Sequence, residues 1–278
     1  MEKSNSFKNL YSGIIGALGK PFKNPFAAFG ISWIDVKKLK HGTSGAKQKQ
    51  KFLNGHVEFF DPQEFVYGVK EIFIEEIYNQ VLGNSPYIID CGAHIGLSVI
   101  YLKHKFPDAD IIAFEPDEKN FELLNCNLLA QGIDDVVTKK AAVWVDKTVL
   151  QFNSKGNMSS KIDLDSKESS NNVNTERLKD YLNRTVDFLK IDIEGAEFTV
   201  LKDIKESLPN VKNLFVEYHG NFTQANELNQ ILSWLTEYNF SFYIQEATKV
   251  FPQPFNKALR NTTDYDIQLN IYAFNDKK

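Results

Sequence analysis

Four short stretches of the chain set acidic residues, histidine and glycine in orders that can hold a cofactor and act on a substrate. The first is Asp90-Cys-Gly-Ala-His-Ile-Gly96. Asp90 closes a short apolar run (Tyr87, Ile88, Ile89), and Gly92 and Gly96 allow a tight turn that a ligand can approach closely. The spacing departs from the dinucleotide pattern G-x-G-x-x-G. Aligned on Gly92, that pattern requires glycine at 90 and 95, where Asp90 and Ile95 stand. An acid at this strand end suits a ligand that offers positive charge or hydroxyls more than it suits a pyrophosphate. The second stretch is Ala113-Phe-Glu-Pro-Asp117, whose Glu115 follows Gly92 by the interval of about 20 residues at which an acid meets ribose hydroxyls. Asp117, directly before Glu118, reads better as a helix cap.

The third stretch is Lys190-Ile-Asp-Ile-Glu-Gly-Ala-Glu197. Asp192 and Glu194 alternate with isoleucines, so both carboxylates fall on one side as the strand ends. Three acids this close can position a polar substrate, hold a divalent cation or take a proton. Compensation of a helix dipole explains Glu194 and Glu197 better than it explains Asp192. Lys190 pairs with a neighbouring acid on this reading. The fourth stretch, Val216-Glu-Tyr-His-Gly220, brings His219 to a strand end as a candidate base, with Glu217 to orient it or to share a cation. Asp192, Glu194 and Glu217 are thus the candidate metal ligands, and His219 and Asp192 the candidate catalytic residues. His94 is expected to meet a cofactor through its backbone.

These stretches need elements to carry them. From residue 87 apolar runs of strand length alternate with helical periodicity. Strands are expected at 87–90, 111–114, 136–145, 188–193 and 214–218, and helices at 95–105, 118–130, 196–204 and 224–238. Strands at 242–245 and 267–274 have only a loop between them and should pair as an antiparallel hairpin. The repeated β-α unit implies an α/β fold: a mostly parallel sheet with helices on both faces, its ligand beyond the carboxyl ends of the strands. A helix is expected over 62–82, started by Asp61 and Pro62. Residues 42–51 read as a surface loop and 154–174 as a polar insertion.

The 278 residues are 42% hydrophobic, enough for one sizeable core. Cys91 and Cys126 make no disulfide framework and read as small core residues in a reducing compartment. The net charge of −4 conceals an asymmetry. Residues 1–51 hold ten lysines against only Glu2 and Asp35, so this segment is +8 and the rest −12. Such an arm is either a solvated tail or a contact for an anionic membrane surface or phosphorylated carrier. Nucleic acid is disfavoured, since the body is acidic and the lysines sit in no nucleic-acid module. No run reaches the roughly 18 apolar residues of a membrane helix, and no cleavable leader is evident. A cytoplasmic protein, in contact with a membrane face at most, is expected.

The four motifs together resemble the FkbM family of S-adenosylmethionine-dependent methyltransferases over roughly residues 60–247. The resemblance rests on Ile89-Asp-Cys-Gly-Ala-His-Ile-Gly-Leu97, Ala113-Phe-Glu-Pro116, Val186-Asp-Phe-Leu-Lys-Ile-Asp-Ile-Glu-Gly-Ala-Glu197 and Phe215-Val-Glu-Tyr-His219. His94 departs from the family's more usual asparagine. The resemblance implies a class I methyltransferase, Rossmann-like sheet with a C-terminal antiparallel hairpin. It implies that Gly92, Ala93 and Gly96 line the methionine part of S-adenosyl-L-methionine, with Asp90 nearby. Glu115 would then bind the ribose, Ala141 and Ala142 approach the adenine, and Asp192 face the sulfonium or the acceptor. Acceptors in the family are mostly hydroxyls, on sugars of polysaccharides and glycolipids or on macrolide-type products. Residues 1–55 then form a basic N-terminal extension, and 56–278 the methyltransferase domain, with a helical lead-in over 61–82 and a core sheet over 87–275. Two other readings stand beside this one. A nicotinamide-dependent oxidoreductase shares the fold class but lacks the third glycine and a Tyr-x-x-x-Lys pair. A non-catalytic cofactor-binding module would use the basic arm for partner contacts.

Overall fold

Strands and helices alternate from residue 87 as expected, and the sheet they build decides which strand ends meet. The computed structural model describes residues 24–153, 161–162, 171–261 and 264–275. In chain order the strands are β1 (Gln48–Phe52), β2 (Gly55–Phe59), β3 (Tyr87–Cys91), β4 (Asp110–Phe114), β5 (Val137–Lys139), β6 (Ala142–Trp144) and β7 (Val149–Asn153). They continue with β8 (Lys161–Ile162), β9 (Asn171–Arg177), β10 (Val186–Ile191), β11 (Val211–Gly220), β12 (Ser241–Glu246) and β13 (Ile267–Phe274). The principal sheet runs β12-β13-β11-β10-β3-β4-β5. Strands β5, β4, β3, β10 and β11 are parallel, and β13 is antiparallel to both its neighbours, β11 and β12. This is the class I methyltransferase sheet. Strand order reverses beside β3, so the crevice for a ligand opens between the carboxyl ends of β3 and β10.

Alternation along the strands divides the core into two layers. Ile88, Ile111, Ala113, Phe188 and Phe215 face the helices Leu97–Lys105 and Glu118–Ala130. Ile89, Leu189, Ile191, Leu214 and Val216 face the helices Glu197–Ile204 and Ala225–Glu237. Burial on both faces is why these strands read as continuous apolar runs.

Several elements differ from expectation. The helix expected over 62–82 is α-helical only over Pro62–Val69, where Asp61 accepts from the backbone N–H groups of Gln63 and Glu64. It widens to a π-turn over Lys70–Ile74 and ends; Glu76 takes a positive φ of 51°. The wide turn places Ile72 and Phe73 in the core and leaves Glu71 facing the sheet's carboxyl end, so tertiary packing overrides the apolar period. The strand expected over 136–145 divides into β5 and β6, because β5 pairs with β4 whereas β6 leaves to pair in parallel with β9.

The loop expected over 42–51 is a strand from Gln48 on, since β1 and β2 form a hairpin. Phe26, Ile31, Val36, Leu39 and Phe52 share the first core layer, so this part of the basic segment packs against the sheet's helices, across the boundary expected at 55/56. Of the insertion expected over 154–174, residues 161–162 and 171–174 are strand, and the remainder lies outside the described residues. Cys91 is buried as expected, whereas Cys126 is exposed. Among the described residues no helix is long and apolar enough to cross a membrane.

Candidate functional site

Gly92 takes φ +90°, and a Cβ there would stand 1.8 Å from the carbonyl oxygen of Asp192. The Asp192 N–H in turn donates to the Cys91 carbonyl at 3.0 Å, so the first and third motifs lie back to back. Only glycine permits that approach. Gly96, at φ +91°, starts the helix Leu97–Lys105 without a side-chain cap. Between them His94 is held at φ 49°, its backbone N–H donating to Oε2 of Glu115 at 2.8 Å. The other oxygen of Glu115 accepts from the Asp117 N–H at 2.9 Å. Glu115 therefore ties the first turn to the second. Burial pushes its carboxyl up to about 8, against the pull of those two N–H groups. Asp117 caps the helix Glu118–Ala130. Ala141 and Ala142 are buried where β5 ends, and the N–H groups of Ala141 and Glu115 share the Lys139 carbonyl.

Lys190 ties the first turn to the third. Its ammonium donates to the Gly92 carbonyl at 2.8 Å and lies 3.2 Å from Asp90 and 3.3 Å from Asp192. Lys190 and Asp90 are both buried. Burial disfavours the ammonium, but Asp90 and Asp192 outweigh it and hold the charge on. The second Asp90 oxygen accepts from Ser98 Oγ at 2.5 Å. Oδ1, although near the ammonium, has no donor in hydrogen-bond geometry. An oxygen whose ion-pair neighbour lies outside hydrogen-bond geometry keeps acceptor capacity for an ammonium or hydroxyl of a ligand, so the residues present fit the S-adenosylmethionine expected here.

At the end of β11, His219 is enclosed by carboxylates. Its Nδ1 lies 3.1 Å from Glu197, and its Nε2 lies 3.6 Å from Glu217 and 3.7 Å from Glu194. Glu197 is fully buried and also accepts from the N–H groups of Ile193 and Gly195, so it shapes the turn and fixes the ring together. The orienting partner of His219 is thus Glu197, not the expected Glu217. Burial would lower the imidazole's pKa, but Glu197, Glu194 and Glu217 outweigh it and push it up to about 10. A histidine that keeps its proton this firmly makes a poor general base and a good hydrogen-bond donor or, once deprotonated, metal ligand. Burial raises Glu194 to about 8 and Glu217 well above the usual carboxylate range.

Asp192, Glu194 and His219 each offer one ligand atom, and all three atoms lie within 4.8 Å of one another. Two carboxylates suit a hard divalent cation, and the imidazole moves the preference from magnesium toward manganese. Of the expected ligands, Glu217 stands at the edge of this set. His219 had been expected only as a base or as Glu217's partner.

Three participants escaped the sequence. Glu71, from the π-turn, is raised to about 7 by burial and then by Asp192 and Glu75. Tyr67, one turn earlier, lies beside the Thr248 side chain, and burial and the charges of Glu71 and Glu217 raise its hydroxyl. Tyr265, from the loop before β13, donates its hydroxyl to the Glu194 carbonyl at 2.6 Å and packs its ring on His219. The one available signal was an acid inside an apolar run at Glu71; nothing in the sequence marks Tyr265.

The family model described as "Methyltransferase FkbM domain" matches residues 90–242, more than half of the chain. The chain is 26% identical over 196 residues to Methyltransferase 1 of Beauveria bassiana (strain ARSEF 2860), covering 59% of this chain and 78% of that protein. It is 29% identical over 193 residues to Methyltransferase sdnD of Sordaria araneosa, covering 55% of this chain and 74% of that one. Among solved structures, methyltransferase FkbM from Methylobacillus flagellatus KT aligns at 16% identity with a TM-score of 0.47. That alignment covers 73% of this chain and 47% of the other, so the chain spans about half the length of that structure.

Proposed function

The chain belongs to the FkbM family of S-adenosylmethionine-dependent methyltransferases, and from that premise we propose that it transfers the methyl group to a hydroxyl, on a sugar of a polysaccharide or glycolipid. When bound, S-adenosylmethionine supplies a methyl group on a cationic sulfur, open to in-line displacement. The residues of the chain then have separate tasks. Glu115 would accept from the ribose hydroxyls, and Asp90 from the methionine ammonium. The backbones of Gly92, Ala93, His94 and Gly96 would line the cofactor's methionine part, and Ala141 and Ala142 would lie toward the adenine. The carboxylates at the ends of β10 and β11 favour a positive charge beside them, and fixing donor and acceptor together supplies much of the rate.

A sugar hydroxyl is a weak nucleophile until its proton is withdrawn. The observation that carries the proposal is the convergence of Asp192, Glu194 and His219 within 4.8 Å, with the far side of the imidazole fixed by Glu197. These residues would hold a divalent cation, with Glu217 as a further donor, and a cation there would lower the pKa of an acceptor hydroxyl. Asp192 is the member of this cluster that borders the cofactor turn, and it takes the proton. His219 acts in this scheme as ligand rather than base. Two free cysteines suit a cytoplasmic site of action.

The test is production of S-adenosylhomocysteine with candidate glycans, with chelator and with magnesium or manganese restored. Mass spectrometry of glycans from cells with and without the protein then identifies the methylated sugar. Turnover should stop with chelator and return with metal. Turnover indifferent to chelator would remove the cation from the mechanism, and methylation confined to nitrogen or carbon would remove the hydroxyl.

A further inference from the structure

The connection between β12 and β13, described over residues 247–261 and 264–266, meets the site at Tyr265, which holds the Glu194 carbonyl, and brings Thr248 beside Tyr67. The same loop is apolar and basic on its outer side. Phe255 is fully exposed and Leu259 is 48% exposed. Phe251 stacks on Phe222 at 5.6 Å, and Lys257 stands 4.7 Å over the Phe222 ring. The connection carries Lys249, Lys257 and Arg260 against Asp264 and Asp266; both acids lie at its end toward β13, where Asp266 pairs with Arg260.

A second segment has like character. The helix Trp33–Lys40 exposes Trp33 (54%) and Ile34 (61%), with the Lys37 ammonium 4.0 Å over the Trp33 ring. This helix carries Lys37, Lys38 and Lys40 against Asp35 alone. Between the helix and the segment that begins at Pro62 lies a groove of about 650 Å³, walled by Phe26, Trp33, Val66 and Tyr67 and flanked by Lys40 and Lys70. Tyr67 is the junction, since it lines this groove, lies beside Thr248 of the loop and is within reach of the charges of Glu71 and Glu217. Through Tyr67 the loop, the groove with its flanking lysines and the charges of the site are linked.

Soluble surfaces seldom gather exposed aromatic and aliphatic side chains in this way without a partner. Apolar side chains interspersed with lysine and arginine, on a protein otherwise acidic, are what an anionic bilayer accepts: the former enter the headgroup region and the latter meet the phosphates. We propose that these segments dock the protein on an anionic lipid surface, with Phe255, Leu259, Trp33 and Ile34 entering the interface. Its consequence for catalysis rests on the glycolipid reading above: an acceptor anchored in the bilayer would offer its sugar to the strand ends through the mouth beside Tyr67.

The experiment is co-sedimentation of the full chain with vesicles, without cofactor or acceptor. Vesicles of equal phosphatidylcholine and phosphatidylglycerol should carry the protein down, pure phosphatidylcholine vesicles much less, and added salt should release it. The double variant Phe255→Ser, Leu259→Ser should weaken binding about tenfold or more. Lys249→Gln with Lys257→Gln should weaken it roughly tenfold on anionic vesicles only. None of the four side chains makes a hydrogen bond or ion pair with a described residue that holds the site, and an unchanged circular dichroism melt confirms that the variants fold. Undiminished binding by both variants would overturn the assignment, because the basic segment 1–51 alone would then suffice. So would indifference to vesicles with retention on an immobilised anionic polysaccharide. Failure of vesicle binding with methyl transfer intact sinks this inference alone, and vesicle binding without methyl transfer sinks only the catalytic proposal.

Discussion

The Tyr265 hydroxyl donates to the Glu194 carbonyl oxygen at 2.6 Å, 71 residues back along the chain. Glu194 stands at φ 55°, a conformation that costs a non-glycine residue about 1 kcal/mol or more. The next residue, Gly195, has φ +98°, and a Cβ there would meet the Tyr265 hydroxyl at 2.8 Å. The tyrosine thus presses on the turn and keeps it in the form that aims the Glu194 carboxylate at Nε2 of His219.

Tyr265→Phe removes that hydrogen bond and keeps the ring. We expect kcat and affinity for the divalent cation each to fall about tenfold, and S-adenosylmethionine affinity to stay unchanged. Stability should drop by about 1 kcal/mol. Steady-state kinetics and calorimetric titration with cofactor and metal separate these effects. A matching loss of cofactor affinity would mean that the whole cleft had loosened, and the positioning role would be lost.

Lys190 bridges Asp90, Asp192 and the Gly92 carbonyl from a buried position. Lys190→Met leaves the Asp90 carboxylate buried without its cation, at a cost of about 3–5 kcal/mol in urea unfolding. Adding Asp90→Asn removes the uncompensated charge and should recover part of that loss. The double variant also gives a reading if the single one does not fold. Additive losses from Lys190→Met and Asp90→Asn would show that the two are not coupled.

The sheet and the four motifs were legible in the sequence because both depend on short-range patterns. Apolar runs, turn glycines and acids at strand ends fix β3, β4, β10 and β11 and the residues that follow them. What was not legible depends on distant packing. Glu71 reaches the site only because the helix from Pro62 widens into a π-turn, and Tyr265 only because a long loop folds back over β11. Glu197 read as a dipole-compensating acid; its grip on His219 requires β11 to lie beside β10 at a register that no local pattern encodes. The break between β5 and β6 likewise follows from a change of partner strand, and residues 136–145 alone carry no sign of it.

Glu115 makes cofactor binding depend on pH. Burial raises its carboxyl to about 8, so at neutral pH the free protein holds a proton there. Ribose hydroxyls donate to the ionised form, and binding must expel that proton. Affinity therefore rises with pH up to about 8 and levels off above it. Adenosine is the right probe, because it carries the ribose without the amino group of S-adenosylmethionine. Its dissociation constant should be about tenfold lower at pH 9 than at pH 7. Glu115→Gln should bind more weakly with a flat profile. A flat profile in the unaltered protein would show that Glu115 is already ionised at neutral pH.

Glu197 reaches the reaction only through His219. It is fully buried, 3.1 Å from Nδ1, and accepts from the backbone N–H groups of Ile193, Gly195 and His219. With Nδ1–H committed to this carboxylate, Nε2 is the nitrogen left facing Glu194 and Asp192. In Glu197→Gln the neutral amide holds the ring less firmly and makes the imidazole a weaker donor to a cation. Affinity for magnesium or manganese should fall about 10- to 100-fold, and kcat at limiting metal should fall with it. If Glu197 acts through metal binding, saturating metal restores most of kcat. If it only supports the turn, added metal changes nothing and the loss follows the melting temperature instead. His219→Ala provides the comparison: it removes the ligand itself, so saturating metal should recover far less than it does in Glu197→Gln.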